Sequence, residues 1–435
     1  MNSEVHALME TVTFQQLITL DERSGSLGPQ MPTEERLQMV QEGLARLDLV
    51  DAVGPQTKQS FERLRTLFIY GLLCYDLFTV VDDLSFLLLE QALGERFVEY
   101  YRGQVTLVHK DGLTDEIAVH SFQEVYDALN RGGSHRKGWK LRVRPGTDII
   151  FRGSLDHLLS WARKVGLLKG QRSRVMERLL VKMRHRAAHP HGCYLLMPNQ
   201  AALSIGDLSA FINQLWGAPT RGSRLYDGPV DRVPIAIGWL DGSLTWTRAD
   251  NLATCHSDTR GFTFIIVQGC DWDEGLYWGI TSFDAQVEAT SFPTELLWGP
   301  GSWSEAVAWV ERQHPGRDDV EYLDRPFMVR VHGNQTDIPR RPEVAAGLDN
   351  GPGSTWYLIR ADYPVDAFVH VRNVAWSAGD TPCAVPGECS VCAAATLAFG
   401  ELAEVLKVAR LHGINTTPIT PRDVRVPPRW TAPAT

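Results

Sequence analysis

The sequence predicts an α+β protein in which an N-terminal all-α helical bundle with a small β-hairpin insertion precedes a C-terminal α+β domain with a mostly antiparallel sheet. The bundle is predicted because residues 56–101 contain no proline and repeat apolar side chains at helical spacing. The hairpin is predicted because residues 105–120 alternate between apolar and polar side chains on both sides of a Lys-Asp-Gly turn. The sheet is predicted because the chain beyond residue 222 forms β-branched and aromatic runs separated by turn residues.

The predicted domains follow these changes of pattern. Residues 1–50 are predicted to form two polar helices, residues 51–222 the helical bundle with its insertion at about 104–150, and residues 223–435 the α+β domain. The 56–101 segment is either one long helix or two helices joined near Asp82-Asp83. Further helices are expected at residues 121–131, 154–168, 171–189, 204–217, 302–313 and about 389–412. Strands of the C-terminal domain are expected at residues 234–246, 262–269, 276–283, 326–333, 354–361 and 367–376.

The chain has 435 residues, of which 44% are hydrophobic, and a net charge of -9. This composition is typical of a globular protein. A protein that coats nucleic acid non-specifically needs exposed positive charge, so any nucleic-acid site must be local. No charged segment followed by an apolar one opens the chain, and the apolar run from Leu67 is interrupted by Asp76. We therefore expect a cytoplasmic protein with no membrane partner. Seven cysteines, an odd number, favour reduced thiols over a disulfide framework.

Positive charge is concentrated in two segments. Between Arg163 and His191 nine Lys or Arg residues accompany one acid, Glu177, and residues 131–144 add six more with no acid. Such a concentration in an acidic protein favours an anionic partner, and we expect the two segments to form one connected surface. Alternatively, the basic helix pairs with acids of a preceding helix, which are Asp82, Asp83, Glu90 and Glu95.

The end of the basic helix has the sequence Arg-His-Arg-Ala-Ala-His-Pro-His and allows three interpretations. His185 and His189 have the spacing of a zinc-binding helix, although Arg186 occupies the position where a metalloprotease has its catalytic Glu. Cations in a last turn also stabilise the helix dipole. Finally, Arg184 suits phosphoryl oxygens and His189 moves protons near neutral pH, which together suffice for RNA cleavage without metal.

Arg184 and His189 are five residues apart, so on a regular helix they point about 140° away from each other. They meet where Pro190 ends the helix at His189, or where two copies of the chain face each other. The six residues from Arg184 to His189 fit the R-x4-H motif of the HEPN ribonucleases. The chain resembles this family over about residues 56–217, with the hairpin and the basic segment after it as an insertion.

This resemblance implies an all-α HEPN-like bundle and a metal-independent endoribonuclease that leaves a cyclic phosphate. By position, Arg184 stabilises the transition state, His189 is the general acid or base, and His185 stands where many members have Asn or another polar residue. Glu90 and Asp83 are candidates for orienting these side chains. The candidate substrate-binding residues are Lys182, Arg186 and His191.

Members of the family commonly act as dimers and serve as toxins or antiviral effectors. The expected partners are therefore RNA, a second copy of the chain, and a regulatory protein or antitoxin. The alternative is a catalytically inactive HEPN-like module that binds nucleotide or RNA or mediates dimerisation. A resemblance of fold does not by itself establish a site.

A cysteine cluster lies near the end of the chain. Cys383, Cys389 and Cys392 are candidate ligands of a structural zinc ion, which needs a fourth ligand from afar, either Cys255 or His256. Two alternatives are a redox-active C-x2-C at a helix start and small cysteines buried in the core. No other cofactor is expected.

Overall fold

The structure, a computed structural model, describes residues 14–27, 32–130, 138–188, 195–218, 225–226, 230–241, 243–255, 261–270, 295–314, 316–337, 339–348, 353–376, 383, 387–389, 391–418 and 423–424. Contacts divide the chain into two compact units, Met1–Leu168 with Glu177–Leu225 and Lys169–Met176 with Tyr226–Thr435. Helices are combined with mainly antiparallel sheets, which confirms the α+β class.

The first half of the chain is largely helical. Its helices are α1 (Phe14–Ile18), α2 (Thr33–Ala45), α3 (Pro55–Tyr70), α4 (Leu77–Tyr101), α5 (Phe122–Asn130), α6 (Leu155–Val165), α7 (Gln171–Ala188) and α8 (Pro198–Leu215). Residues of α7 up to Met176 belong to the second unit and those from Glu177 to the first. The helices predicted between residues 121 and 217 are confirmed, although α8 begins earlier, at Pro198.

The break between α3 and α4 lies at residues 71–76 and not near Asp82-Asp83, so that prediction was wrong. Gly71 lies at the break, and a Cβ there would lie 2.6 Å from the ring of Phe78. Asp82 is buried within α4 and accepts a hydrogen bond of 2.5 Å from Ser204 of α8. Asp82, near which the sequence predicts a helix break, instead makes a polar contact between two helices.

An aromatic cluster fixes α4 against its neighbours. Phe97 of α4 is fully buried, and its ring centroid lies 5.7 Å from Phe122, 4.9 Å from Phe151 and 4.8 Å from Trp161. Aromatic pairs at these separations add to the stabilisation that burial provides. The same helix carries Glu90, about two turns before Phe97.

The insertion forms a small antiparallel sheet in the order β2-β1-β3-β4. Its strands are β1 (Gln104–His109), β2 (Thr114–Ala118), β3 (Trp139–Arg144) and β4 (Thr147–Ile149). β1 and β2 are the predicted hairpin, in which Val105 pairs with Ile117.

The second unit contains two further sheets. The first has the order β15-β8-β7-β5-β6 with β9 on β5, and its strands are β5 (Val230–Leu240), β6 (Ser243–Arg248), β7 (Thr263–Cys270), β8 (Glu295–Gly301), β9 (Asp318–Val320) and β15 (Asp423–Val424). It is antiparallel except for the β15 pair with β8. The helix α9 (Trp303–Gln313) packs on one face through Ala306 and Trp309. The strand predicted at 276–283 lies outside the described residues.

The other sheet carries helices on both faces. It has the order β11-β10-β12-β14-β13, with β10 (Arg325–His332), β11 (Gln335–Thr336), β12 (Ser354–Ala361), β13 (Gly387–Glu388) and β14 (Ala394–Gly400). Its helices are α10 (Pro342–Ala346), α11 (Pro364–Trp376) and α12 (Leu402–Leu411). Because successive side chains of a strand point to opposite faces, Phe327 and Ile359 pack on α11 while Met328 and Leu358 pack on α12.

Two predictions in this sheet were wrong. Residues 367–376 form most of α11 and not a strand, because Ala367, Val371 and Val374 recur at helical spacing after Pro364 has begun the helix. The helix predicted at 389–412 is helical only from Leu402, since residues 394–400 form β14 between β12 and β13. Pairing with neighbouring strands overrides the helix preference of this Ala-rich segment.

Within the described part of the chain, no helix is both long enough and apolar enough to cross a membrane.

Candidate functional sites at the end of α7 and at a Cys3His cluster

Arg184 lies near the end of α7, and its guanidinium pairs with Glu90 of α4. Its Nε donates a hydrogen bond of 3.1 Å to Oε2 of Glu90, and its Nη2 lies 3.0 Å from the same oxygen. The two side chains are 29% and 26% exposed. One carboxylate oxygen therefore holds the Nε–Nη2 edge of the guanidinium, and Nη1 takes no part in this contact.

The other predicted residues of the motif are described less fully. Lys182 is exposed on α7. The side chains of His185 and Arg186, and the whole of His189 and His191, lie outside what the structure describes, so their roles stay predictions. Sequence reasoning did single out Glu90, the acid that contacts Arg184.

Carboxylates neutralise much of the basic segment from Arg163 to His191. The pairs are Arg163 with Glu177, Lys169 with Glu321, Arg172 with Asp366, Arg174 with Glu388, and Arg184 with Glu90. The first is the most buried, since its side chains are 11% and 9% exposed. Glu90 is one of the acids named in the alternative interpretation, whereas the other four partners lie elsewhere in the chain. Because residues 131–137 and 189–194 lie outside the described residues, the predicted connected surface stays a prediction.

The three predicted cysteines converge in the second unit beside β13 and β14. The Sγ of Cys383 lies 3.4 Å from that of Cys392 and 3.6 Å from that of Cys389. His370 of α11 is the fourth member, and the four ligand atoms all lie within 4.8 Å of one another. His370 and Cys389 are buried, while the other two are partly buried. Three thiols and one imidazole are a donor set that zinc uses in structural sites.

A hydrogen bond engages one ring nitrogen of His370. Its Nε2 lies 2.8 Å from Oγ1 of Thr396, which is itself buried in β14. Its Nδ1 is buried and, among the described residues, has no hydrogen-bond partner. If Nε2 carries the proton and donates to Thr396, Nδ1 presents a lone pair. A buried acceptor without a donor is costly, and a bound cation satisfies it.

Hydrogen bonds also reach the sulfur atoms. The backbone N–H groups of Val391 and Cys392 donate to Sγ of Cys389 at 3.4 and 3.3 Å, and Nδ2 of Asn373 donates to Sγ of Cys392 at 3.4 Å. Such donors stabilise a thiolate more than a thiol.

Burial governs the protonation of the cluster in the metal-free protein. Burial, together with the hydrogen bond with Cys383, raises the pKa of the Cys392 thiol to about 12. Burial lowers the pKa of His370 below its ordinary value, so the imidazole is neutral at pH 7. A metal ion would displace the thiol protons, and it would bind the neutral imidazole without first displacing a proton from it.

The fourth member of the cluster, His370, was not predicted from the sequence. Neither predicted candidate holds that place: the described group of donors contains His370 and not Cys255, and His256 lies outside the described residues. Because residues 367–376 were predicted to form a strand, His370 was not recognised as a neighbour of the cysteines. The signal that could have found it is the helical recurrence of Ala367 and Val371, which places His370 on the buried face of α11.

Comparisons of the chain with protein-family models, with curated proteins and with solved structures found no match. Support for a function comes from the chemistry of the Arg184–Glu90 pair and of the Cys3His cluster.

Proposed function

We propose that the protein is a metal-independent endoribonuclease of the HEPN type that acts in antiviral defence or in a toxin system. The observation that carries this proposal is the pairing of Arg184 with Glu90. A partly exposed guanidinium held along one edge keeps its other edge for a phosphoryl group, to which Arg can bind with two parallel hydrogen bonds. The R-x4-H motif supplies His189 five residues later.

In the proposed reaction the 2'-hydroxyl oxygen of RNA attacks the adjacent phosphorus, and the bond from phosphorus to the 5'-oxygen breaks. The products are a 2',3'-cyclic phosphate and a 5'-hydroxyl end. His189 either takes the proton of the 2'-hydroxyl or donates one to the leaving 5'-oxygen, and water carries out the other transfer. Arg184 stabilises the negative charge that grows on the phosphoryl oxygens.

The test is incubation of the full chain with RNA in EDTA, followed by mapping of the fragment ends. The parent protein should leave cyclic phosphates, and it should not cut RNA whose 2'-hydroxyls are methylated. Arg184→Ala and His189→Ala should abolish cleavage, and Arg184→Lys should lower it by about 100-fold or more because a point charge lacks the planar fork. Arg65→Ala, which removes another ion-paired arginine, is the matched control.

The second candidate is a catalytically inactive module that binds RNA or nucleotide or mediates dimerisation. The carboxylate partners of the basic segment favour it, because paired cations contribute less to phosphate binding. Full cleavage by Arg184→Ala and His189→Ala proteins, or cleavage that needs added Mg²⁺, would contradict the ribonuclease proposal. Binding of RNA without cleavage would support the module instead.

We also propose that Cys383, Cys389, Cys392 and His370 hold a structural zinc ion. Zinc–sulfur bonds of about 2.3 Å in a tetrahedron place two sulfurs about 3.8 Å apart, close to the separations of 3.4 and 3.6 Å seen here. The buried Nδ1 of His370 fits the fourth ligand position. Four protein ligands leave no open position for substrate, so the ion would stabilise the fold. Metal analysis of protein never exposed to chelator should find about one zinc per chain.

A further inference from the structure

The segment Lys169–Met176, which begins α7, is held within the second unit by acidic side chains. The backbone N–H groups of Gln171 and Arg172 donate to the two carboxylate oxygens of Asp362 at 2.9 and 2.8 Å. The guanidinium of Arg172 donates to both oxygens of Asp366 at 2.8 and 3.2 Å. It also lies 4.0 Å from the ring centroid of Tyr363.

Two residues further along the helix, Arg174 pairs with Glu388 of β13. These contacts dock the beginning of α7 on a surface made of α11 and β13.

The acids of this surface stand next to the proposed metal ligands. Asp366 precedes His370 by four residues on α11, which is about one helical turn. Glu388 immediately precedes Cys389. A metal ion bound by His370 and the cysteines would therefore tie together the two elements on which α7 docks.

Two of the acids that hold the start of α7, Asp366 and Glu388, depend on the metal to different degrees. α11 packs on the sheet through Ala367 and Val371, so Asp366 keeps its position largely without help. β13 has two residues, which pair with Thr396 and Ala395 of β14, and the backbone N–H of Cys389 donates to the carbonyl oxygen of Ala394 at 2.9 Å. A strand this short contributes little stability of its own, and its next residue is the ligand Cys389. The position of Glu388 should therefore depend on the metal more than that of Asp366.

We propose that occupancy of the Cys3His site controls the docking of the first turns of α7 through the Arg174–Glu388 pair. The inference rests on the proposed zinc site and not on ribonuclease activity. α7 continues to Ala188, so Arg174 and Arg184 lie on one helix about 15 Å apart. Metal loss would thus loosen the start of the helix that carries the candidate catalytic arginine.

The test is hydrogen exchange of peptides that cover residues 169–176, measured on the full chain with measured zinc content. Removing zinc with a chelator should speed exchange in these peptides by tenfold or more, while peptides from β7 in the other sheet of this unit change less. Returning zinc should restore protection.

A variant that keeps every metal ligand separates docking from general unfolding. In zinc-loaded protein, Glu388→Gln should speed exchange of residues 169–176 by about two- to fivefold, as expected for one partly exposed ion pair. Its zinc content should stay at that of the parent. Glu404→Gln, which removes an exposed acid that faces Lys407 on α12, is the matched control and should change nothing.

Two results would overturn the inference. If metal analysis finds no zinc after growth and purification with zinc, the zinc proposal is wrong, and the inference that rests on it fails as well. If zinc binds but exchange of residues 169–176 is the same in loaded and stripped protein and in Glu388→Gln, the zinc site stands and the control of docking fails. Neither result bears on RNA cleavage, which is measured separately.

Discussion

Replacement of His370 by Ala should remove one ligand of the proposed zinc site and lower the thermal stability of the second unit. The parent site needs little rearrangement to accept the ion, since its sulfurs lie 3.4 and 3.6 Å apart and must move by only a few tenths of an ångström to reach tetrahedral spacing. The metal-binding free energy should therefore appear mostly as stability of the folded state.

The size of the effect follows from linkage. An ion present at about 1,000 times its dissociation constant stabilises the folded state by about 4 kcal/mol. For a unit of roughly 200 residues, 1 kcal/mol shifts the Tm by about 2–4 °C. Full loss of zinc binding should thus lower the Tm of the second unit by about 8–16 °C, and His370→Ala should approach this limit.

Calorimetry with parallel zinc analysis is the appropriate assay. His370→Ala and Cys389→Ser should each lose bound zinc and unfold at a lower temperature, and chelator should have little further effect on either. Cys255→Ser is the matched control, because Cys255 was the other candidate ligand and lies outside the group of four donors. Titration with Co²⁺, which accepts similar tetrahedral sites, reports the number of thiolate ligands by its visible absorption.

A specific set of results would refute this reasoning. If His370→Ala binds zinc as tightly as the parent, the imidazole is not a ligand, and the lack of a partner for Nδ1 among the described residues needs another explanation. If Cys255→Ser loses zinc and His370→Ala does not, the ligand set predicted from the sequence was the better one. If none of the proteins binds zinc, the cysteines are core residues or a redox centre.

Three further perturbations test other contacts. Glu90→Gln should lower kcat for RNA cleavage by about tenfold to 100-fold through poorer orientation of Arg184, measured in single-turnover assays. Thr396→Val should weaken zinc affinity by about 10- to 100-fold in chelator competition, whereas Thr396→Ser, which keeps the hydroxyl that faces His370, should stay near the parent. Asp21→Asn should cost about 1–2 kcal/mol of unfolding free energy at neutral pH. Since hydrogen bonding to a guanidinium lowers the folded-state pKa of Asp21 from 3.8 to about 2, this difference should disappear as the pH falls from about 4 to 2 in acid-unfolding curves.

The parts of the fold that were predicted correctly are those in which local pattern and tertiary packing agree. The hairpin of β1 and β2 and the helices α5 to α9 have strong periodicity, and each forms where the sequence indicates, apart from the earlier start of α8 at Pro198. Two of the errors lie in segments that are apolar in both helical and strand registers. These are α11, which packs on the sheet, and β14, which is an inner strand of that sheet between β12 and β13. Periodicity alone cannot separate a buried helix from a buried strand in such segments.

In the candidate sites, too, local sequence pattern predicted some residues, whereas others depend on tertiary packing. The spacing of Cys383, Cys389 and Cys392 was enough to suggest a metal centre, because three ligands lie within ten residues. His370 could not be assigned in the same way, since its approach to the cysteines depends on the packing of α11 against β14. The pairing of Arg184 with Glu90 spans 94 residues and follows from the arrangement of α7 and α4.

The two proposals together predict a particular response of RNA cleavage to chelators. The permanent positive charge of Arg184 beside a single carboxylate disfavours a catalytic metal ion at that place. At the Cys3His cluster, four protein donors would leave a bound zinc ion no open position for substrate. If both proposals hold, EDTA at concentrations that leave zinc in place should not affect cleavage. A stronger chelator that strips zinc should reduce cleavage only as far as α7 loosens or the second unit unfolds, and Zn²⁺ rather than Mg²⁺ should restore it. Immediate loss of cleavage at full zinc content, reversed by Mg²⁺, would instead show that the reaction uses a metal and that Arg184 acts by binding alone.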